Sequence, residues 1–587
     1  MLKLFKNLDK SDFVLVAFII CLIFAQVYLD LALPDYMSEI TKLVQTEGSA
    51  MEDIYQAGGK MLLCALGSLS IAVVVAVCAA KIAANFSFIT RGKIFEKVMG
   101  FSMKEVNSFS TSSLITRTTN DITQIQTLIV MGMQMMIKAP LTAIWAIYKI
   151  SNNNGTFTLA TGIAMAILMA VVSVCLSLAI PRFRSLQTLT DNVNQVAKTR
   201  LDGLAVVRAY NAEAYEDEKF EVVNQDITST NLFVGRTMSF LMPSIQSISS
   251  GLTLSFYLLG ASLINQAAGM EKLTIFSDMV VFSSYAILII MSFIMLCMVF
   301  MMYPRAAVAG KRINEVLDST PTIQEGTKED GLAGKKGEVE FKNVSFKYPD
   351  ADDYVLKDIS FTAKHGEIVA FIGSTGCGKS TVLNLVPRFY DVTQGEVLIN
   401  GINVKQYKKT ALNGLIGYVS QRATLFTGTV KSNVIFGDNE DNAHDEEHLE
   451  NSLETAQAEE FVQSLDGQED AAVAQGGGNF SGGQKQRISI ARAIYRDPEI
   501  FIFDDSFSAL DYKTDRKLRD TLNIECKEST RLIIGQRIGT IKDADKIVVL
   551  DCGRIVGMGK HFDLLENCEV YKQIALSQLS EEELSHG

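Results

Sequence analysis

Six apolar stretches, roughly 13–33, 61–84, 130–150, 157–180, 240–264 and 279–303, crowd the first 305 residues of the chain. Each is close to the ~20 residues that a helix needs to cross the hydrocarbon core of a bilayer. Lipid offers backbone groups no hydrogen-bond partner, so a spanning run has to satisfy its own N–H and C=O groups as a helix. Six transmembrane helices are therefore expected. A cleaved signal peptide is the competing reading of the first stretch; its apolar run is too long for that and lacks a small-residue cleavage site. The mean hydropathy of +0.19 coexists with 20% charged residues, which fits apolar spans joined to an ordinary soluble domain.

Lysine and arginine set the orientation. Lys3, Lys6 and Lys10 precede the first span, Arg91, Lys93, Lys97, Lys104 and Arg117 follow the second, and Arg182, Arg184, Lys198, Arg200 and Arg208 follow the fourth. Cations mark the cytoplasmic side. The N-terminus is therefore placed in the cytoplasm of a cytoplasmic (inner or cell) membrane, and an even number of spans returns the C-terminal half there too. The two cytoplasmic connections, 85–129 and 181–239, keep helical spacing, so they are read as helices that extend the spans by about 30 Å. Met291, Met295, Met298 and Met302 share one helical face, either a lining for varied apolar ligands or a surface for helix and lipid contact. Lys138, one turn after Gln134, lies inside the third stretch, where an ionisable side chain is either functional or snorkels to the surface.

At 587 residues the chain is too long for one core. A net charge of −12 argues against nucleic acid as a partner, because phosphate backbones are held by clustered cations. The nine cysteines are scattered without metal-ligand spacing and read as small apolar residues of a reducing compartment. A polar, glycine-bearing segment over 319–337 is read as a linker between a membrane domain, 1–318, and a soluble domain, 338–587.

In the soluble part, short apolar strands alternate with helical stretches, as in an α/β domain with a largely parallel sheet. "GSTGCGKS" follows such a strand and precedes a helix, the context of a P-loop. Gly373, Ser374, Thr375, Gly376, Cys377 and Gly378 would wrap ATP phosphates with backbone N–H groups, with Thr381 just inside the helix. Lys379 would reach the β/γ-phosphates and Ser380 the Mg²⁺. Cys377 reads either as a variable loop position or as a thiol switch on nucleotide binding. "IFIFD" ends on Asp504, a carboxylate delivered by a buried strand to the metal's water shell. "NFSGGQKQR" puts Ser481, Gly482, Gly483 and Gln484 before a helix, a second anion-ready helix start.

With the P-loop, this last motif resembles the signature of ATP-binding cassette (ABC) transporters, and the six-span half resembles the type I, multidrug-type exporter fold. The resemblance covers nearly the whole chain. It implies a membrane all-α six-helix domain followed by an α/β P-loop nucleotide-binding domain. It implies that Tyr348 stacks on adenine, that Gln421 meets Mg²⁺ and senses the membrane helices, and that Ser508 to Asp511 crosses a dimer interface. It implies that "GLAVVRAYNAE" belongs to a cytoplasmic loop docking on a nucleotide domain, and that each ATP lies between one chain's P-loop and the other's SGGQ.

The chain departs from that pattern at its candidate catalytic positions. Where hydrolysing relatives usually carry Glu it has Asp505, shorter by one CH₂, which leaves the carboxylate more than ~1 Å short of a water in line with the γ-phosphate. Where the family has a histidine it has Gln536, which supplies neither positive charge nor ring geometry. Gln475 stands near where exporters often carry Glu. SGGQ, by contrast, is complete. The expectation is a weakly hydrolysing own site and a non-identical partner half with a competent one, together moving a small amphipathic substrate, such as drugs, lipids or hydrophobic peptides, past membrane lipids. An importer of metal chelates on the same fold and an ATP-sensing regulatory subunit remain open.

Overall fold

The computed structural model describes residues 2–5, 8–46, 49–151, 155–267, 270–349, 351–437 and 446–579; Lys6 lies outside them. The chain forms two compact units. Met1–Val98 with Ser112–Ser319 make the first, and Met99–Thr111 with Thr320–Gly587 the second.

Among the described residues, six helices of the first unit are long and apolar enough to cross a membrane. They are Lys10–Gln45, Met51–Met99, Asn120–Ser151, preceded by the short Thr111–Thr118, then Gly155–Asp202, Glu213–Gln266 and Met270–Asp318. Pro34, Pro140, Pro181, Pro243 and Pro304 lie inside five of them. Membrane helices tolerate this because neighbouring groups re-satisfy the freed carbonyls. The last helix packs along Asn120–Ser151 and Lys10–Gln45, and Gly155–Asp202 packs along Glu213–Gln266. Phe157, Phe256 and Phe282 interlock at centroid distances of 5.0 to 6.1 Å and are fully buried.

The cytoplasmic connections are helical, as expected, but not continuous. The first breaks after Met99 and restarts at Ser102, whose backbone N–H donates to Glu105 Oε2 at 2.9 Å in a capping box, giving the helix Met103–Phe109. The second breaks at Gly203 and again before Glu213, where Asn211 takes φ +50°, leaving the short helix Leu204–Ala209. Spacing of apolar residues does not register a one-residue excursion into the left-handed region.

The second unit holds two main sheets. One is antiparallel, with order β2-β1-β4-β5, built from β1 (Val339–Phe346), β2 (Leu356–Ala363), β4 (Gln394–Ile399) and β5 (Ile402–Asn403). The other contains β3 (Ile368–Gly373), β6 (Ile416–Val419), β9 (Ile500–Asp504), β10 (Thr530–Ile534), β11 (Lys546–Asp551) and β12 (Arg554–Gly559), in the order β12-β11-β3-β10-β9-β6. All its pairings are parallel except β11 with β12. A minor pair joins β7 (Gly428–Thr429) to β8 (Ala472–Val473). β9 and β10 are buried at every position, as the continuous apolar runs "IFIF" and "LII" require of central parallel strands. The register of these strands brings their ends together. Ile534 pairs with both Phe371 and Asp504, and Val419 pairs with Phe503, so β3, β10, β9 and β6 end at one edge of the sheet. In open parallel sheets that carboxyl edge is where ligands bind.

Candidate nucleotide site

Four chain segments leave that edge side by side. After β3 the loop turns through Gly373 (φ +155°), Gly376 (φ +83°) and Gly378 (φ +102°) before the helix Lys379–Leu385 begins. Glycine is required there twice over. A Cβ on Gly373 would run into the Leu550 carbonyl, and one on Gly378 would sit 2.7 Å from Leu356 Cδ2. Lys379 Nζ rests on the carbonyls of Gly373 (2.8 Å) and Ser374 (2.9 Å), inside the loop it follows. Cys377 is buried, with its Sγ 3.7 Å from that ammonium.

After β9, Asp504 accepts the Ser380 hydroxyl on Oδ1 at 2.8 Å. Asp505 turns away in the left-handed region (φ +49°), a conformation Asp tolerates better than most residues. Its Oδ2 accepts two amides, Gln536 Nε2 from the end of β10 at 2.6 Å and Gln421 Nε2 from the end of β6 at 3.2 Å. Ser506, fully buried and not singled out from the sequence, donates to the Val419 carbonyl at 3.0 Å and fastens β9 to β6. Burial pushes both carboxyls above the usual range. At Asp504 the Ser380 hydroxyl opposes that shift, Asp505 adds to it and Lys379 opposes it. At Asp505 the Gln421 and Gln536 amides oppose it.

These groups line a cleft of about 350 Å³ together with Tyr348, Thr375 and Thr381. Tyr348 shares a hydrogen bond of 3.1 Å with Thr381 Oγ1 and meets Tyr390 edge-on at 5.2 Å. Tyr390 Oη in turn accepts Asn107 Nδ2 at 3.2 Å, from the short helix Met103–Phe109 of the same unit. The donor set suits ATP with Mg²⁺. Open backbone amides and a lysine fit phosphates, while a serine hydroxyl, a carboxylate and an amide oxygen are the hard ligands that Mg²⁺ prefers. Among the described residues no cluster of three or more His, Cys, Asp and Glu could hold a metal by itself.

The second motif lies elsewhere on the unit. Ser481 caps the helix Gly482–Ile494: its hydroxyl accepts the Gln484 N–H at 3.3 Å, and Gln484 Oε1 accepts the Ser481 N–H at 2.9 Å. Ser481 and Gly482 are exposed, and a Cβ on Gly483 would stand 3.3 Å from the Ala509 carbonyl. The signature loop and Ser508–Asp511 therefore adjoin. Asp511 caps the helix Tyr512–Glu525 through the Thr514 N–H at 3.0 Å, and that bond holds its carboxyl below the usual range.

In the membrane unit the ionisable Lys138 is neither free nor snorkelling alone. Its Nζ pairs with Asp30 Oδ2 at 2.9 Å, and Asp30 also takes the Ser68 hydroxyl. Asp30 stood inside the first apolar stretch and was legible as an ionisable residue at membrane depth. On the methionine face, Met291 and Met298 are exposed. Met298 borders a small apolar cleft with Met242, Phe293 and Cys297.

A P-loop domain with a second helix-capping SGGQ loop, carried on a multi-pass membrane unit, defines an ATP-binding membrane transporter whose nucleotide-binding domain is cytoplasmic. The chain belongs to the ABC transporter family: residues 356–508 match the ABC transporter family and 15–293 its transmembrane region. It is 36% identical over 555 residues to an uncharacterised ABC transporter ATP-binding protein of Mycobacterium tuberculosis, covering 92% of this chain and 93% of that one. An ATP-dependent lipid A-core flippase of Pseudomonas aeruginosa is 31% identical over 507 residues, covering 86% and 82%. A bacterial Atm1-family ABC exporter solved with ATP bound superposes with a TM-score of 0.81 at 22% identity, covering 97% of this chain and 99% of that one. The chain thus has the exporter fold expected from its sequence.

Proposed function

We propose that this chain is one half of a heterodimeric ABC exporter of a bacterial cytoplasmic membrane, with a weakly hydrolysing site of its own and a signature loop that completes its partner's competent one. The observation that carries this reading is the pairing of Asp505 with Gln536. The short carboxylate is bonded to an amide where hydrolysis needs a carboxylate free to orient water and a group that can bear positive charge beside the γ-phosphate. SGGQ and its capping box are intact, which supports work on an ATP held by another chain's P-loop.

In this reading Tyr348 stacks on the adenine, the backbone from Gly373 to Gly378 wraps the phosphates, and Lys379 leaves its two carbonyls for the β/γ-phosphates. Ser380, Gln421 and Asp504 would hold the Mg²⁺, which neutralises phosphate charge when bound. Closure of two nucleotide domains on ATP would turn the membrane cavity outward, with the short helices Met103–Phe109 and Leu204–Ala209 as the transmitting elements. Partly exposed methionines and a lipid flippase among the relatives favour an amphipathic substrate. Purifying the chain from native membranes tests the assignment. A co-purifying half with Glu and His at the matching positions is expected; brisk ATPase activity from this chain as a homodimer would overturn it.

A further inference from the structure

The loop that carries Gln536 is held from a third place. Gln578, just beyond the helix Glu569–Leu576, donates Nε2 to the Gln536 carbonyl at 2.8 Å and accepts the Ile538 N–H on Oε1 at 2.9 Å. One side-chain amide therefore grips the loop on both sides of Arg537. Its own base is firm: Tyr571 and Ala575 on that helix are fully buried, and the Tyr571 hydroxyl meets His561 Nδ1 at 2.7 Å. From the gripped loop, Gln536 Nε2 reaches Asp505 Oδ2 at 2.6 Å, and Gln421 Nε2 comes to the same oxygen at 3.2 Å.

We propose that Gln536 locks the Asp505 carboxylate away from the attacking water and that Gln578 is a positioning residue that sets this lock, so that the C-terminal helix helps to keep the site slow. The inference rests on the weakly hydrolysing site proposed above and adds its cause. Two amide N–H groups fill both acceptor sites of Oδ2 and fix the plane of the carboxylate, so a water can be met only by Oδ1, in the direction that this plane allows. Lengthening Asp505 to Glu restores reach but leaves the amide within bonding distance. Removing one restraint should therefore do little, and removing both should do much.

The test uses the full-length chain in lipid nanodiscs, reading kcat and KM for ATP separately. Asp505→Glu and Gln536→His together should raise kcat more than about tenfold at unchanged KM, and by more than the product of the two single changes, a non-additivity expected of groups in contact. Gln578→Ala added to Asp505→Glu should raise kcat about threefold at unchanged KM, opposite in sign to damage of a merely structural residue. Hydrogen exchange supplies a readout independent of turnover. The Ile538 amide should exchange about fivefold faster in Gln578→Ala, the value of one lost hydrogen bond, and be restored in Gln578→Glu, which keeps the acceptor. Brisk turnover of the unaltered chain would overturn the weak-site reading itself. Slow turnover of the unaltered chain with brisk Asp505→Glu would overturn the lock alone, and unchanged Ile538 exchange in Gln578→Ala would overturn the part given to Gln578.

Discussion

The P-loop edge and the signature loop sit on one domain and differ in nearly every physical respect. The first is assembled from the ends of four parallel strands, with Asp504 and Asp505 buried and each bonded to side chains from distant segments. The second is a local turn with Ser481 and Gly482 exposed, closed by a reciprocal Ser481–Gln484 cap and adjoining Ala509 of the loop after β9. A site made by convergence can be altered by one side chain at a time, as is proposed for Asp505 and Gln536. A loop capped by its own residues depends less on those side chains, which is what the proposed division of labour between two ATP sites requires.

The largest effect should come from striking the loop. In the proposed heterodimer, Gly483→Asp is expected to lower ATPase activity by about 10²-fold or more, because it would set a carboxylate beside the partner's phosphates and needs the Ala509 carbonyl to yield by a few tenths of an ångström. Asp505→Asn should change the same activity less than about twofold. Steady-state ATPase assays on the two variants break the comparison if the losses are equal.

The next effect separates binding from hydrolysis at the P-loop edge. Lys379→Ala should reduce photolabelling of this chain by azido-ATP about tenfold or more, since no other group in the loop carries its charge to the phosphates, while the partner's labelling persists. Loss of both signals together would mean that the edges are not independent. Tyr348→Ala should weaken the same labelling less, by about fivefold to tenfold, the worth of one stacked base.

How much of this was legible in the sequence tracks the same divide. SGGQ, the P-loop and Asp504 are contiguous strings whose local geometry follows from glycine placement and strand burial, and they could be read directly. That Gln421 and Gln536 converge on Asp505 could not, because it depends on the parallel register of β6, β9 and β10, which no local pattern encodes. The six spans were legible from apolar length alone. The partner of Lys138 was not, since Asp30 lies on another helix and only packing brings the two together. The breaks at Ser102 and Asn211 were half-legible: Ser102 with Glu105 three residues on is a capping signature, whereas Asn211 offered only a residue type that tolerates positive φ.

The smallest expected effect concerns how the P-loop edge is connected to the short helix Met103–Phe109. Asn107 donates to Tyr390, Tyr390 meets Tyr348 edge-on, and Tyr348 lines the cleft, so the short helix Met103–Phe109 reaches the Tyr348 side of this candidate site. At the signature loop, by contrast, Ser481 and Gln484 bond to each other. The Asn107 bond is exposed and 3.2 Å long, so its net worth is at most about 1 kcal/mol, or about fivefold. Asn107→Ala should leave azido-ATP labelling and basal ATPase activity unchanged while lowering substrate moved per ATP hydrolysed by about twofold to threefold in proteoliposomes. A fall in labelling would make Asn107 part of nucleotide binding. An unchanged transport ratio would mean that this site reports nothing to the membrane helices through this contact.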